Sequence, residues 1–172
     1  MINHQFETKR LKFRILKKQD INYLENLEND AEVRHFFPTG EHKSRQETEA
    51  MIDRIIFDYE EHGLPCFLIF EVDSNEFVGR CGFGLLEETG EIEVGYVLHK
   101  KYWGHGYASE SLDALIKWAK NNIIINYIIA YAPKDHYASL RVMEKCGMEH
   151  YKDDIDKIDN VECRFYRIKI NN

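Results

Sequence analysis

The sequence predicts a mixed α/β chain of the α+β kind, with a twisted, mostly antiparallel sheet of about seven strands, one parallel pair in its middle, and about four flanking helices. Three observations carry this. Between Cys66 and Leu98 three strand-like runs are joined by short polar turns, an antiparallel meander. The last run leads through Gly104-His105-Gly106 into a helical pattern and then into another β-branched run, a crossover that sets two strands parallel. Ahead of the meander, Ser44-Arg45-Gln46-Glu47 is a capping box in which Ser and Glu satisfy each other's exposed backbone donors.

In chain order, Leu11, Phe13 and Ile15 alternate with Lys12, Arg14 and Leu16 as an opening strand. Asp20 is placed to cap a helix with Ile21, Leu24 and Leu27 on one side. Between Asn29 and His42 the pattern breaks into Arg34-His35-Phe36-Phe37-Pro38-Thr39-Gly40, a loop that either covers a substrate or folds its aromatics onto the core. The capping box opens a helix with Met51, Ile52, Ile55, Ile56 and Tyr59 at helical spacing, ended by His62-Gly63-Leu64-Pro65. Cys66 to Val72 is a short strand, Asp73 to Glu76 a turn, and Phe77 to Leu86 a strand whose Gly79, Gly82 and Gly84 permit a bend or a close approach.

After the turn Glu87 to Gly90, the strand Glu91 to Leu98 puts Ile92, Val94, Tyr96 and Leu98 on one face. Glu91, Glu93, Gly95 and Val97 lie on the other. A helix follows to about Lys120, with Ala108, Leu112, Leu115, Ile116 and Ala119 toward the core. A strand around Tyr127 to Tyr131, a short helix with Leu140, Val142 and Met143 stopped at Gly147, and two strands, Glu149 to Ile155 and Glu162 to Ile170, complete the chain. No repeat or linker interrupts it, and residues 1–172 read as a single domain.

A chain of 172 residues buries about two-thirds of its unfolded surface. With 23 basic against 30 acidic residues, the net charge of −7 argues against a nucleic-acid backbone as partner and leans toward a cationic or neutral substrate. Cys66, Cys81, Cys146 and Cys163 form no Cys-x-x-Cys pair, and the histidines form no His-Glu-x-x-His, so neither a metal site nor a redox motif is expected. No leader-like N-terminus or apolar span is present, which predicts no membrane contact and a cytoplasmic protein.

The most informative stretch is Tyr102-Trp103-Gly104-His105-Gly106-Tyr107-Ala108-Ser109-Glu110. A strand that turns through two glycines into a helix aims successive N–H groups, and the positive end of the helix dipole, at one point suited to a phosphate. A dinucleotide-binding oxidoreductase is disfavoured, because Ser109 stands at its third glycine position and the preceding strand ends a meander.

Together with Val94-Gly95-Tyr96-Val97-Leu98 and Ala138-Ser139-Leu140-Arg141-Val142-Met143-Glu144-Lys145-Cys146-Gly147, this stretch resembles the GNAT superfamily of acyl-CoA-dependent N-acetyltransferases, and within it the ribosomal-protein N-acetyltransferase subgroup. The resemblance implies acetyl-CoA as co-substrate, no metal, and a splayed parallel strand pair with the pantetheine arm in the gap, bonded to backbone near Val97 and Leu98. It maps the family's pyrophosphate pattern onto Lys101, Tyr102, Trp103, Gly104, His105 and Gly106, followed by Tyr107, Ala108 and Ser109; Lys101 replaces the usual Arg or Gln.

The tyrosine that many relatives use as general acid is Met143 here. In the ribosomal-type subgroup the serine matching Ser139 bonds the departing thiolate, a role the resemblance implies for Ser139, and His136 stands where the family has an asparagine that contacts the CoA arm. Glu93 is the candidate base and Tyr131 a candidate relay, needed because an alkyl amine ionises near ~10.4. Phe36 and Phe37 are expected to join Glu93 and Tyr131 around the acceptor, an amine-bearing small molecule or a protein N-terminus. The expected assembly is a monomer or homodimer. A non-catalytic acyl-CoA-binding sensor or adaptor is the alternative that the missing tyrosine suggests.

Overall fold

The computed structural model describes residues 6–36, 41–157 and 160–171. Its strands are β1 (Phe6–Glu7), β2 (Leu11–Ile15), β3 (Cys66–Glu71), β4 (Phe77–Leu86), β5 (Glu91–Leu98), β6 (Tyr127–Pro133), β7 (Glu149–Asp156) and β8 (Val161–Lys169). The helices are α1 (Ile21–Glu28), α2 (Ala31–Arg34), α3 (Arg45–His62), α4 (Tyr107–Asn122) and α5 (Tyr137–Lys145). All eight strands form one sheet in the order β1-β2-β3-β4-β5-β6-β8-β7, antiparallel except for β5 and β6.

The mixed architecture and the central parallel pair are as the sequence predicts, with two additions. β1 is too short to show a period, yet it pairs with β2 through Phe6 opposite Phe13. α2 is a single turn inside the stretch read as loop; Asp30 starts it by accepting from the Glu32 N–H at 2.9 Å. The expected Asp20 cap is also corrected. Its carboxylate accepts from the Lys17 N–H at 2.8 Å and from both terminal nitrogens of Arg14 at 2.9 Å, so it ties a 3₁₀ turn to β2 and does not bond the first turn of α1. The Ser44–Glu47 capping box is present in both directions, at 3.2 and 2.7 Å, and Gly63 ends α3 in the left-handed region.

Helices cover the sheet unevenly. On one face Leu16, Ile21, Leu24, Ile52, Leu68 and Phe70 close α1 and α3 over β3 and its neighbours. On the other, α4 buries Leu112, Leu115, Ile116 and Ala119 against a large core that reaches Leu140 and Met143 of α5. A third cluster, Ile129, Cys163 and Phe165 with Leu86, Tyr131, Tyr151 and Val161 at its border, is made of strand residues alone. Glu93 sits opposite Gly84 and Ile129, and Tyr131 opposite Phe165, so this cluster shares a sheet face with Glu93.

Two of the three β4 glycines are forced by close approach. A Cβ at Gly79 would lie 2.1 Å from the Val97 carbonyl oxygen, and one at Gly82 would lie 2.5 Å from that of Pro65. A buried ion pair holds α1 to β4. The Glu28 side chain is 0% exposed and accepts from Arg80 Nε at 2.6 Å and Lys43 Nζ at 3.3 Å. Burial alone would raise its pKa, but Arg80 and then Lys43 outweigh that and hold it below the usual value.

Candidate acetyl-donor and amine site

β5 and β6 diverge. Whereas β4 and β5 stay in register from Gly79–Leu98 to Leu86–Glu91, β5 and β6 share one registered pair, Glu93 with Ile129. Beyond that rung the strands open into a cavity of about 530 Å³. Phe36, Val97, Leu98, Trp103, Gly104, Gly106, Tyr107, Ala108, Ser109, Tyr131, His136 and Ser139 all line it, which brings together most of the residues expected from sequence.

Gly104 and Gly106 have φ of +75° and +81°, backbone that disfavours a side chain. Glu110 is the first residue of α4 whose N–H reaches back, to the Gly106 carbonyl at 3.0 Å. The amides of Tyr107, Ala108 and Ser109 therefore remain as the donors that a helix start leaves open, at the cavity wall. Trp103 closes the side by donating from its indole to the Leu98 carbonyl at 2.8 Å.

A clamp from the far edge of the sheet fixes this loop, and no sequence motif announces it. Arg10 gives its Nε to Glu110 at 2.7 Å, its Nη1 to the His105 carbonyl at 2.8 Å and its backbone N–H to Glu110 at 3.0 Å; Thr8 adds a bond to Glu110 at 2.6 Å. The guanidinium lies over the Tyr107 ring, 4.4 Å from its centre. Burial would raise the Glu110 pKa, but the bonds from Thr8 and Arg10 hold it lowered.

Lys101 and His105 do not line the cavity. Lys101 pairs with Glu76 at 2.6 Å on the protein exterior, while the exposed His105 contributes its carbonyl to the Arg10 clamp. Arg141 and Lys145, one turn apart on α5, line the cavity instead. Their i, i+4 spacing, readable in the sequence, puts both on one face of α5. Val33, Tyr96, Pro133 and Val142 are further wall residues that sequence reasoning did not single out.

At the mouth, the Phe36 ring stacks on His136 with centroids 4.0 Å apart and meets Trp103 edge-on at 5.4 Å. Phe36 is thus placed against the donor-side wall. Burial holds the His136 imidazole below its usual pKa, against the pull of Asp135, so the ring is neutral at pH 7 and can give one hydrogen bond. Phe37 lies outside the described residues. His136 takes the N-cap position of α5, but neither it nor Asp135 or Ser139 makes a side-chain cap bond there.

Glu93 is half-buried and does not itself line the cavity; Tyr131, two residues along β6 from the Glu93 partner Ile129 and on the same sheet face, lines it and draws the carboxylate's pKa down. Gly84 makes room for it, since a Cβ there would lie 3.0 Å from Glu93 Oε1. Burial raises the Glu93 pKa, with Asp156 adding to the rise and Tyr131 and Arg80 opposing it. That is the environment of a carboxylate that takes up a proton more readily than a solvated one.

None of the four cysteines is in a disulfide. Burial pushes Cys66 up to about 11 and raises Cys81 and Cys146, so none of these is an activated nucleophile. Among the described residues no group of three or more His, Cys, Asp or Glu is placed to hold a metal ion, and no helix is long and apolar enough to cross a membrane.

Fold and cavity together define an acyl-CoA-type acetyltransferase. Residues 10–149 match the acetyltransferase (GNAT) domain, and the chain belongs to that family. An uncharacterised N-acetyltransferase, p20 of Bacillus licheniformis, is 27% identical over 83% of this chain and 80% of its own length. Among solved structures, a Salmonella typhimurium acetyltransferase that modifies the N-terminal serine of a 50S ribosomal subunit protein superposes with a TM-score of 0.80 at 20% identity, covering 95% of this chain and 97% of its own. Spermidine N-acetyltransferase of Vibrio cholerae, in complex with CoA and spermine, gives 0.78 at 14% identity over 95% and 97%.

Proposed function

We propose that the chain moves an acetyl group from acetyl-CoA to a primary amine by direct attack within a ternary complex. The carrying observation is the cavity itself, in which left-handed glycines, open helix-start amides and the gap between β5 and β6 meet at one wall. The amides of residues 107–109, with Arg141 and Lys145, would hold the donor phosphates. Backbone at Val97 and Leu98, facing the gap, would take the pantetheine arm and give a donor to the thioester oxygen as it becomes an oxyanion. The bound co-substrate supplies an acyl group that is already activated, so the protein contributes position and proton removal.

Removing a proton from an amine that ionises near ~10.4 costs about 4–5 kcal/mol at pH 7. Glu93, reached through Tyr131, is the base that offsets this, and nearby Asp156 favours an approaching cation. The acceptor enters across the strand-only face beside Tyr131 and Phe165, whose rings stack at 4.7 Å. Serine N-termini and polyamines, on which the named neighbours act, both present such an amine.

One observation favours a second reading. Met143, at the place of the usual tyrosine, is 2% exposed and offers no proton, as in a CoA-binding sensor without turnover. Incubation with acetyl-CoA and a panel of amines, following free thiol, separates the two. Thiol release with at least one amine class is expected; CoA binding without release across the panel supports the sensor, and no CoA binding sinks both.

A further inference from the structure

Tyr96 does something its place in the sequence hides. Its strand face is apolar, yet its hydroxyl ends 3.0 Å from Ser139 Oγ and 3.3 Å from the Ser139 carbonyl oxygen, and both residues line the cavity. A phenol has one hydrogen to give. The carbonyl belongs to α5, where the helix offers it a donor, and the hydroxyl contact is the shorter. Either oxygen of that shorter contact can be the donor; where Tyr96 donates to Oγ, the serine keeps its own hydrogen for a third partner, on the side where the cavity lies.

We propose that Tyr96 is a positioning residue: it locks Ser139 so that the serine hydroxyl points at the donor sulfur and bonds the thiolate as it leaves. This rests on the acetyl-CoA reading above. In the step itself the amine nitrogen bonds the acyl carbon and the C–S bond breaks. The electron pair stays on sulfur, and the nitrogen's proton passes toward Glu93.

Tyr96 does not supply that sulfur with a proton. Burial, ahead of any neighbour, pushes its hydroxyl up to about 12. A thiol ionises near ~8.5, so transfer from Tyr96 would run uphill. What remains is a hydrogen bond, strengthened because its acceptor is charged; water protonates the thiolate afterwards.

The test compares CoA with desulfo-CoA, which lacks the sulfur, by calorimetric affinity at about pH 6.5 and about pH 9, on either side of the unperturbed thiol value. His136, Arg141 and Lys145 on and beside α5, and Tyr131 on β6, line the same cavity and meet both ligands, while Cys146 acts on Tyr96 from outside it. Their titration cancels in the ratio of the two affinities. In the wild type that ratio should rise about tenfold with pH; in Tyr96→Phe and in Ser139→Ala it should stay within about twofold. In turnover, Tyr96→Phe should lower kcat with little change in donor KM, and should add nothing in the Ser139→Ala background. A full rise in Tyr96→Phe, or additive losses in the double variant, overturns the proposal while leaving the donor reading intact. Failure of wild-type CoA binding overturns that reading instead. Phenylalanine keeps the ring, and an unchanged melting temperature would exclude a folding defect.

Discussion

The two sides of the β5–β6 gap are built on different principles. The proposed donor side is mainly backbone: left-handed glycines, helix-start amides and a carbonyl pinned by Trp103, locked from behind by Arg10 and Thr8. The proposed acceptor side is made of side chains: Glu93 folded over Gly84, Tyr131 beside it, and an aromatic row that no helix residue joins among the described residues. A backbone site can recognise one invariant ligand and tolerates surface variation. A side-chain site can be retuned by single substitutions, which suits a fold whose named neighbours acetylate substrates as unlike as a protein N-terminus and a polyamine.

The sharpest break between the sides is expected from Glu93→Gln, which should lower kcat/KM about 10²- to 10⁴-fold while CoA affinity stays within about twofold. Wild-type activity should rise with pH through an ionisation above the usual ~4.3 of a glutamate, because the base must be charged to act and burial lifts its pKa. An unshifted profile, or equal loss of CoA binding, would dissolve the division. Next, Gly106→Val should weaken CoA about 10- to 100-fold, since a branched side chain is strained at φ +81° and its Cβ would meet Arg10 at 3.3 Å. Titration with CoA checks this, and a normal affinity would mean that the loop geometry does not hold the donor.

Arg10→Ala probes the clamp from a distance. It should cost a few-fold in CoA affinity and leave acceptor KM alone, because its partners are all on the donor loop. The smallest effect is expected from Ser111→Ala in α4. That hydroxyl is buried and has no partner among the described residues, so its removal should stabilise the fold by about 1 kcal/mol, or 2–4 °C in Tm, without touching turnover.

Local patterns made the donor side legible. Glycines before a helix and an apolar stripe on α4 are written in neighbouring residues, as are the capping box and the meander. What was missed depends on residues brought together from afar: Arg10 and Glu110 are separated by 100 positions. Tyr96 looked like core by alternation, because nothing local says that its strand parts from the next one. α2, four residues long, has too few turns to show a period. Glu93 and Tyr131 were named from sequence, but their contact follows from one rung of register.

That single rung has a thermodynamic consequence. A sheet joined across its middle by one registered pair is two ribbons with an unfinished seam, and a ligand lying in the gap adds bonds only to the folded chain. With a donor bound there as proposed, folding free energy tracks its concentration: at a hundredfold excess over Kd the gain is about 2.7 kcal/mol. A cell starved of that donor would hold the same polypeptide closer to its unfolding threshold.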